Sequence, residues 1–373
     1  MRASDKNLVK WDDWSWGTSV DQYLAFVRST GGEPLYSLNP FDHTIDGARH
    51  GALDEARQLV RRVVSAGFPG AFYEVGNEND GSWNPMLSSA EYVERFVAFA
   101  EMVKREDPSA KMMGPVGSGT EASWRDGFID GLAGRGKLPL LDYFDFHYYG
   151  GWISNSNSAG VDLNSPQLIP GYVKAIRDRL AANGGAGIGV ALTEYNAAIW
   201  DTGATRGANS IEQALWLADT VGVLFETLDV ANVWIDLSGN DPHSLLSDAS
   251  GSVQRTKNYW PMYVAGKTLG LGRRDTAVDV VESSIELAAS RATIHAARGR
   301  DGGLGVLLVN KGDALSAEVA LAGRGCTGVS ALVFDAAAHA AGSGASPQQA
   351  ACASGTVTVA LPKQSVVGLS LTP

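Results

Sequence analysis

Two apolar runs each end in a glutamate. One reads Tyr73-Glu74-Val75-Gly76-Asn77-Glu78 and the other Ala191-Leu192-Thr193-Glu194-Tyr195-Asn196. Two carboxyl groups facing one substrate position can cleave a glycosidic bond. One, protonated, assists the leaving oxygen; the other, ionised, attacks carbon or activates water. A carboxyl separation of about 5–5.5 Å gives a covalent intermediate and retention, and a wider one gives inversion. A lone glutamate at a strand end is as readily a solvated or ion-paired rim residue, and two in matched positions weaken that reading. Glu74 competes in the first motif. Four residues before Glu78, it reads as a structural group directed into or out of the fold.

The elements around these glutamates must bring them to one end of a sheet. Near-continuous apolar runs at 34–39, 72–76, 111–115, 143–148, 188–193 and 231–236 have the pattern of parallel strands buried on both faces. Amphipathic stretches alternate with them. Ser88 with Glu91 forms a capping-box pattern ahead of Tyr92, Phe96, Phe99 and Val103, and Asp107-Pro108 stops that helix. Ser19 with Gln22 and Ser210 with Gln213 repeat the pattern, and 53–66, 171–182 and 258–269 read as further helices. The fold class is therefore α/β, a (β/α)8 TIM-type barrel with about six strands in view.

Glu78 and Glu194 lie 116 residues apart (194 − 78), three βα steps of about 39 residues against the ~31 of a typical barrel unit. That spacing makes their strands the fourth and seventh, whose ends face each other across a barrel mouth. Strands one and two are then unaccounted for. Residues 1–18 are polar and tryptophan-rich, with room for one strand at most, so the barrel reads as N-terminally incomplete.

After about residue 270 the helical period fades. Short β-type runs follow at 292–297, 305–310, 317–321, 329–334, 356–361 and 366–371, with a turn signal at Arg300-Asp301-Gly302-Gly303. These predict a small antiparallel β-sandwich. The expected domains are a catalytic barrel over 1–270 and the sandwich over 271–373. The Ala-, Gly- and Ser-rich stretch 336–353 reads as a loop. The two cysteines, Cys326 and Cys352, read equally as a disulfide or as two buried thiols.

The motifs resemble those of clan A of the retaining glycoside hydrolases, in the neighbourhood of the arabinofuranosidase-like families 51, 39 and 44. The carriers are Gly76-Asn77-Glu78 and Thr193-Glu194-Tyr195-Asn196, with residues 11–39 similar to a helix and third strand of such proteins. The resemblance implies that Glu78 is the general acid/base and Glu194 the nucleophile. It implies that Asn77 binds the sugar 2-hydroxyl, and that Tyr149, in a His147-x-Tyr149 pattern, bonds the nucleophile carboxylate. It places Trp234 under the sugar in the cleaved subsite, and Asn39 as a weaker substrate contact. It also implies an arginine near strand two, for which no segment precedes Trp11. Each residue has a plainer reading: Asn77 as a turn cap, His147 as a satisfied core histidine, Trp234 as packing. Trp83, Trp152 and Trp200 follow strand ends and read as sugar platforms or as locally packed rings.

Composition narrows the alternatives. A formal charge of −11 disfavours a nucleic-acid partner, and no apolar run reaches the ~18 residues of a membrane span. No metal-ligand spacing or glycine-rich phosphate loop is present in the sequence, so no metal or cofactor is expected. The expected partner is a carbohydrate containing arabinose, xylose or glucose. A non-catalytic carbohydrate-binding protein on a degenerate barrel is the competing reading, ahead of a non-glycosidase barrel enzyme. The N-terminus carries no signal core, which fits the cytoplasm unless a secretion signal has been lost.

Overall fold

The computed structural model describes residues 19–45, 48–119, 121–150, 161–197, 209–239, 241–271, 278–322 and 325–372. The chain forms two compact units, 1–148 with 172–193, and 149–171 with 194–373.

The first unit opens with α1 (Val20–Thr30), β1 (Leu35–Leu38), a hairpin of β2 (His43–Ile45) and β3 (Ala48–His50), and α2 (Ala52–Ser65). It continues through β4 (Phe72–Val75), α3 (Ser89–Glu106), β5 (Lys111–Gly117), α4 (Ala122–Gly134) and β6 (Tyr143–Gly150), whose last two residues belong to the second unit. Next come α5 (Ile169–Ala182) and β7 (Gly189–Ala197), which passes into the second unit at Glu194. Then follow α6 (Ile211–Thr227) and β8 (Val230–Val233). These alternating elements build one six-stranded sheet in the order β1-β4-β5-β6-β7-β8, with the β1–β4, β4–β5 and β5–β6 pairs parallel. The six strands expected from the apolar runs are those observed.

Local signals explain the helices. Ser19 with Gln22 and Ser88 with Glu91 close full capping boxes on α1 and α3, and the Ser210 hydroxyl accepts from the Gln213 amide at α6. α3 buries Tyr92, Val93, Phe96, Phe99 and Val103, one face at helical spacing. α4 gives a weaker signal, because glycines at 127 and 131 interrupt the apolar face formed by Phe128, Ile129 and Leu132. A β-carbon on Gly127 would come within 2.4 Å of the Ser89 hydroxyl oxygen, and one on Gly131 within 2.9 Å of Val93. Those glycines let α4 lie close against α3, while Phe128 inserts edge-on between Phe96 and Tyr92.

In the second unit, a two-residue ladder of β9 (Leu246–Ser247) and β10 (Gln254–Arg255) and helix α7 (Tyr259–Leu269) precede the β-rich part. That part runs β11 (Val278–Val281), β12 (Ala292–Gly299), β13 (Leu304–Asn310), β14 (Leu315–Ala320), β15 (Gly328–Asp335), α8 (Ala336–Ala341), β16 (Ser346–Gln348), β17 (Ala350–Ala353), β18 (Thr356–Leu361) and β19 (Ser365–Thr372). Antiparallel sheets in the orders β11-β12-β13-β19-β15-β16 and β14-β18-β17 enclose a core of Val306, Leu308, Val319, Val357, Val359 and Leu369. The turn at Arg300–Gly303 joins β12 to β13, with the Asp301 carboxylate accepting from the Gly303 amide at 2.9 Å.

The sequence reading of 336–353 as a loop is corrected. Asp335 caps α8 by accepting from the Ala338 amide at 2.8 Å, and alanine needs no side-chain ordering in a helix. β16 and β17 then pair at sheet edges, where Ala, Ser and Pro are tolerated. Cys326 and Cys352 form a disulfide that ties the segment before β15 to β17.

A buried ionic cluster locks α6 to β12 and the residue after β13. Asp219 is fully buried, with Lys311 Nζ 2.7 Å from one oxygen and His295 Nε2 3.0 Å from the other. His295 Nδ1 lies 2.9 Å from Glu226. Gly222 makes room for that ring, since a β-carbon there would sit 2.1 Å from it. Burial opposes the charge on His295, but the Asp219 and Glu226 carboxylates outweigh it and raise its pKa to about 9.

Candidate active site

The Glu78 side is built by a strained turn at the end of β4. Gly76 has φ +79° and donates to the Leu38 carbonyl at 2.8 Å; a β-carbon on it would meet Asn79 Oδ1 at 2.1 Å. Asn79 is buried and organises the loop. Its Oδ1 accepts from the Asn77 amide at 3.2 Å and its Nδ2 donates to the Pro85 carbonyl at 2.9 Å. Glu78 itself has φ +49°, a left-handed conformation that costs a residue with a side chain about 1–3 kcal/mol.

That conformation is held from below. The Glu78 amide donates to the Val116 carbonyl at 2.8 Å, and Val116, at φ +54°, donates its own amide to Asp145 Oδ1 at 2.7 Å. Burial, and then the nearby Glu74 carboxylate, push Asp145 well above the usual carboxylate range. Glu74 is buried and accepts from the Ser37 hydroxyl, so it is a structural group within the fold.

Both oxygens of Glu78 are engaged. His147 Nδ1 lies 2.8 Å from Oε1, and the Trp83 indole donates to Oε2 at 2.6 Å. The His147 side chain is 1% exposed and that of Glu78 13%. The Trp83 contact can run only one way, because an indole N–H only donates. The His147 contact is reversible: Nδ1–H donates to an ionised Glu78, and with the proton on the carboxyl the other tautomer accepts it. This pair can therefore hold either protonation state of Glu78 without moving heavy atoms.

On β7, Glu194 is half-buried and accepts from the Tyr149 hydroxyl, which lies 2.6 Å from Oε2. Trp234, the residue after β8, donates its amide to the Tyr195 carbonyl at 3.1 Å. Its ring meets Tyr149 edge-on at 6.1 Å and lies 5.3 Å from the buried His243 ring. Asn196 ties this corner together: its Nδ2 donates to the Trp234 carbonyl and, at 3.1 Å, to the His243 carbonyl. Glu194, Tyr149 and Trp234 thus stand as one group.

The remaining candidates are placed as follows. Asn77 follows Gly76, and its Nδ2 is buried with no hydrogen-bond partner among the described residues. Asn39 forms a turn, donating to the Phe41 carbonyl at 2.9 Å and accepting from its amide at 3.1 Å. Trp152 and Trp200 lie outside the described residues. Sequence reasoning missed Asn79, Val116 and His243, and took Trp83 only as a platform. The sole sequence signal for them is the second asparagine of Gly76-Asn77-Glu78-Asn79, whose short amide suits a turn.

No protein-family model and no curated protein sequence matches the chain. Solved structures do. A glycoside hydrolase family 44 xyloglucanase from Paenibacillus polymyxa is 18% identical with a TM-score of 0.72, covering 95% of this chain and 83% of its own. A family 30 endoxylanase from Clostridium papyrosolvens C71 is 15% identical with a TM-score of 0.68, covering 100% of this chain and 88% of its own. A family 51 arabinofuranosidase from Xanthomonas axonopodis pv. citri is 16% identical with a TM-score of 0.65, covering 96% and 79%. The chain therefore has the fold of the clan A glycoside hydrolases, the group its two glutamate motifs resemble.

Proposed function

We propose that the protein is a retaining glycoside hydrolase acting on xylose-, glucose- or arabinose-containing polysaccharides or their oligosaccharides. Glu194 is the nucleophile and Glu78 the general acid/base. The observation that carries this reading is the set of hydrogen bonds that holds the two carboxylates: Tyr149 on Glu194, and Trp83 with His147 on Glu78. The similarity to the xyloglucanase, the endoxylanase and the arabinofuranosidase supports the substrate class.

In the first step, a Glu194 oxygen bonds to the anomeric carbon while the glycosidic C–O bond breaks. The Glu78 proton passes to the leaving oxygen. The Tyr149 hydroxyl keeps Glu194 oriented until attack. In the second step Glu78, now a carboxylate, takes a proton from water, and that water displaces Glu194. Asn77 Nδ2 offers a donor to the sugar 2-hydroxyl, and Trp234 a face beneath the ring.

The test is Glu194→Ala on an activated aryl glycoside drawn from a panel of xylosides, glucosides and arabinofuranosides. Turnover should fall by at least ~10³-fold and return in azide as the glycosyl azide of inverted configuration. Undiminished turnover in Glu194→Ala overturns the assignment. Glycan binding by the unsubstituted protein without turnover points to the carbohydrate-binding alternative.

A further inference from the structure

Beside Glu78 runs a groove of about 630 Å³ between the loop after β4 and the start of α4, lined by Asp80, Trp83, Met86, Ser118, Glu121 and Trp124, among others. We propose that this groove is the subsite for the leaving-group side of the glycan, that it takes neutral sugars, and that Trp83 is its platform. The proposal rests on the function argued above, which supplies Glu78 as the acid.

Trp83 is built as a platform. Its ring lies flat on Gly81, where a β-carbon would come within 2.4 Å of the ring, yet the residue remains 63% exposed. One face of the indole is thus supported by backbone and the rest is open to solvent. An exposed, backed aromatic face suits the flat C–H face of a pyranose. Met86, 66% exposed, extends the apolar surface. In the same lining, the Trp124 indole nitrogen is buried and finds no partner among the described residues, so it offers a donor to a sugar hydroxyl.

The position of the groove follows from one hydrogen bond. Trp83 Nε1 holds Glu78 Oε2 at 2.6 Å, so the groove wall and the acid touch. The sugar beyond Glu78 on that side is the one whose glycosidic oxygen receives the proton, which makes it the leaving group. A carboxyl oxygen can accept from the indole N–H on one side and face the glycosidic oxygen on another, so Trp83 can hold Glu78 while the leaving sugar rests on its ring.

The electrostatics select the sugar. The described lining includes the carboxylates of Asp80 and Glu121 and the hydroxyls of Ser118 and Ser123, but no lysine, arginine or histidine. Asp80 is held facing Ser118, accepting from its amide at 2.9 Å and its hydroxyl at 3.0 Å. Carboxylates accept from neutral hydroxyls and repel a uronic acid.

The experiment compares an aryl glycoside, whose leaving group is not a sugar, with a neutral oligosaccharide of the same glycone. Trp83→Ala should lower kcat/KM on the oligosaccharide at least tenfold more than on the aryl glycoside and shift the bond cleaved. Trp124→Phe, which keeps an aromatic ring of smaller size and removes the N–H, should show the same selectivity at three- to tenfold. An oligosaccharide with a uronic acid on the leaving side should be cleaved at least tenfold less efficiently than the neutral one. Equal losses on both substrates, or no preference for the neutral chain, overturn the proposal. Calorimetric titration of the neutral oligosaccharide into Glu194→Ala, with and without Trp83→Ala, gives a readout free of turnover. Binding at least tenfold weaker with Trp83→Ala upholds the groove even if the unsubstituted protein hydrolyses nothing, in which case the proposed function fails and the groove stands.

Discussion

The Tyr149 hydroxyl lies 2.6 Å from Oε2 of Glu194, and its ring packs at 75° to that of Trp234. A phenol held by an aromatic neighbour cannot follow the carboxylate if it shifts, so the bond fixes where Glu194 points. Tyr149→Phe keeps the packing and removes the donor. We expect kcat to fall about 10²-fold, in the range for loss of one preorganised donor, with KM changed less than threefold. Steady-state kinetics on an aryl glycoside check this, and an unchanged kcat would contradict it.

Gly76→Ala probes the turn beneath Glu78. A methyl there would meet Asn79 Oδ1 in a backbone conformation that alanine resists. The expected cost is about 1–3 kcal/mol of stability together with a loss of turnover, because the same turn sets the Glu78 backbone. Denaturant unfolding and kinetics on one preparation measure both. Asn79→Ala, which removes the obstruction along with the loop's hydrogen bonds, should not rescue activity.

The cluster at Asp219 predicts a stability loss separate from catalysis. Lys311→Met leaves Asp219 buried with one cationic partner in place of two, and should cost about 3–5 kcal/mol, seen as a lower midpoint in urea.

His295 adds a pH dependence. Its folded pKa, about 9, is raised above the unfolded value near 6.5, so its contribution is full below ~6.5 and is lost as pH rises through 9. His295→Gln should flatten the stability profile between these limits. A slope unchanged by the substitution would contradict the assignment.

The disulfide spans a separation of 26 residues, and loop-closure entropy puts its contribution at about 3.5 kcal/mol. Cys326→Ser with Cys352→Ser should lower the unfolding midpoint, and reductant should have no further effect on that variant. A midpoint equal to that of the unsubstituted protein under oxidising conditions would remove the disulfide from the list of stabilising features.

The barrel strands were legible because burial on both faces writes continuous apolar runs, and the caps at Ser19, Ser88 and Ser210 were legible because one side chain and one amide make them. α4 was illegible because only Phe128, Ile129 and Leu132 mark its buried face, with Gly127 and Gly131 breaking the apolar period around them. The segment 336–353 misled for the related reason that Ala, Gly and Ser are weak markers of any element. At the site, Glu78 and Glu194 could be found from strand ends. The hold on Glu78 could not, since it depends on the Val116 carbonyl, a backbone atom on another strand that no residue type announces, and on a tryptophan reaching back five positions across a loop.

β6 carries Asp145, His147 and Tyr149 at alternate positions, so all three side chains project from one face of the strand. They reach Val116, Glu78 and Glu194 in turn. Phe146 and Tyr148 between them face the other way, Phe146 into the core and Tyr148 onto Tyr172, and their number sets the spacing. Deleting Tyr148 alone would turn Tyr149 to the opposite face and leave Glu194 without that phenol, while His147 kept its place. Along this strand, spacing therefore carries as much of the site as residue type does: a length change of one residue parts His147 and Tyr149 onto opposite faces.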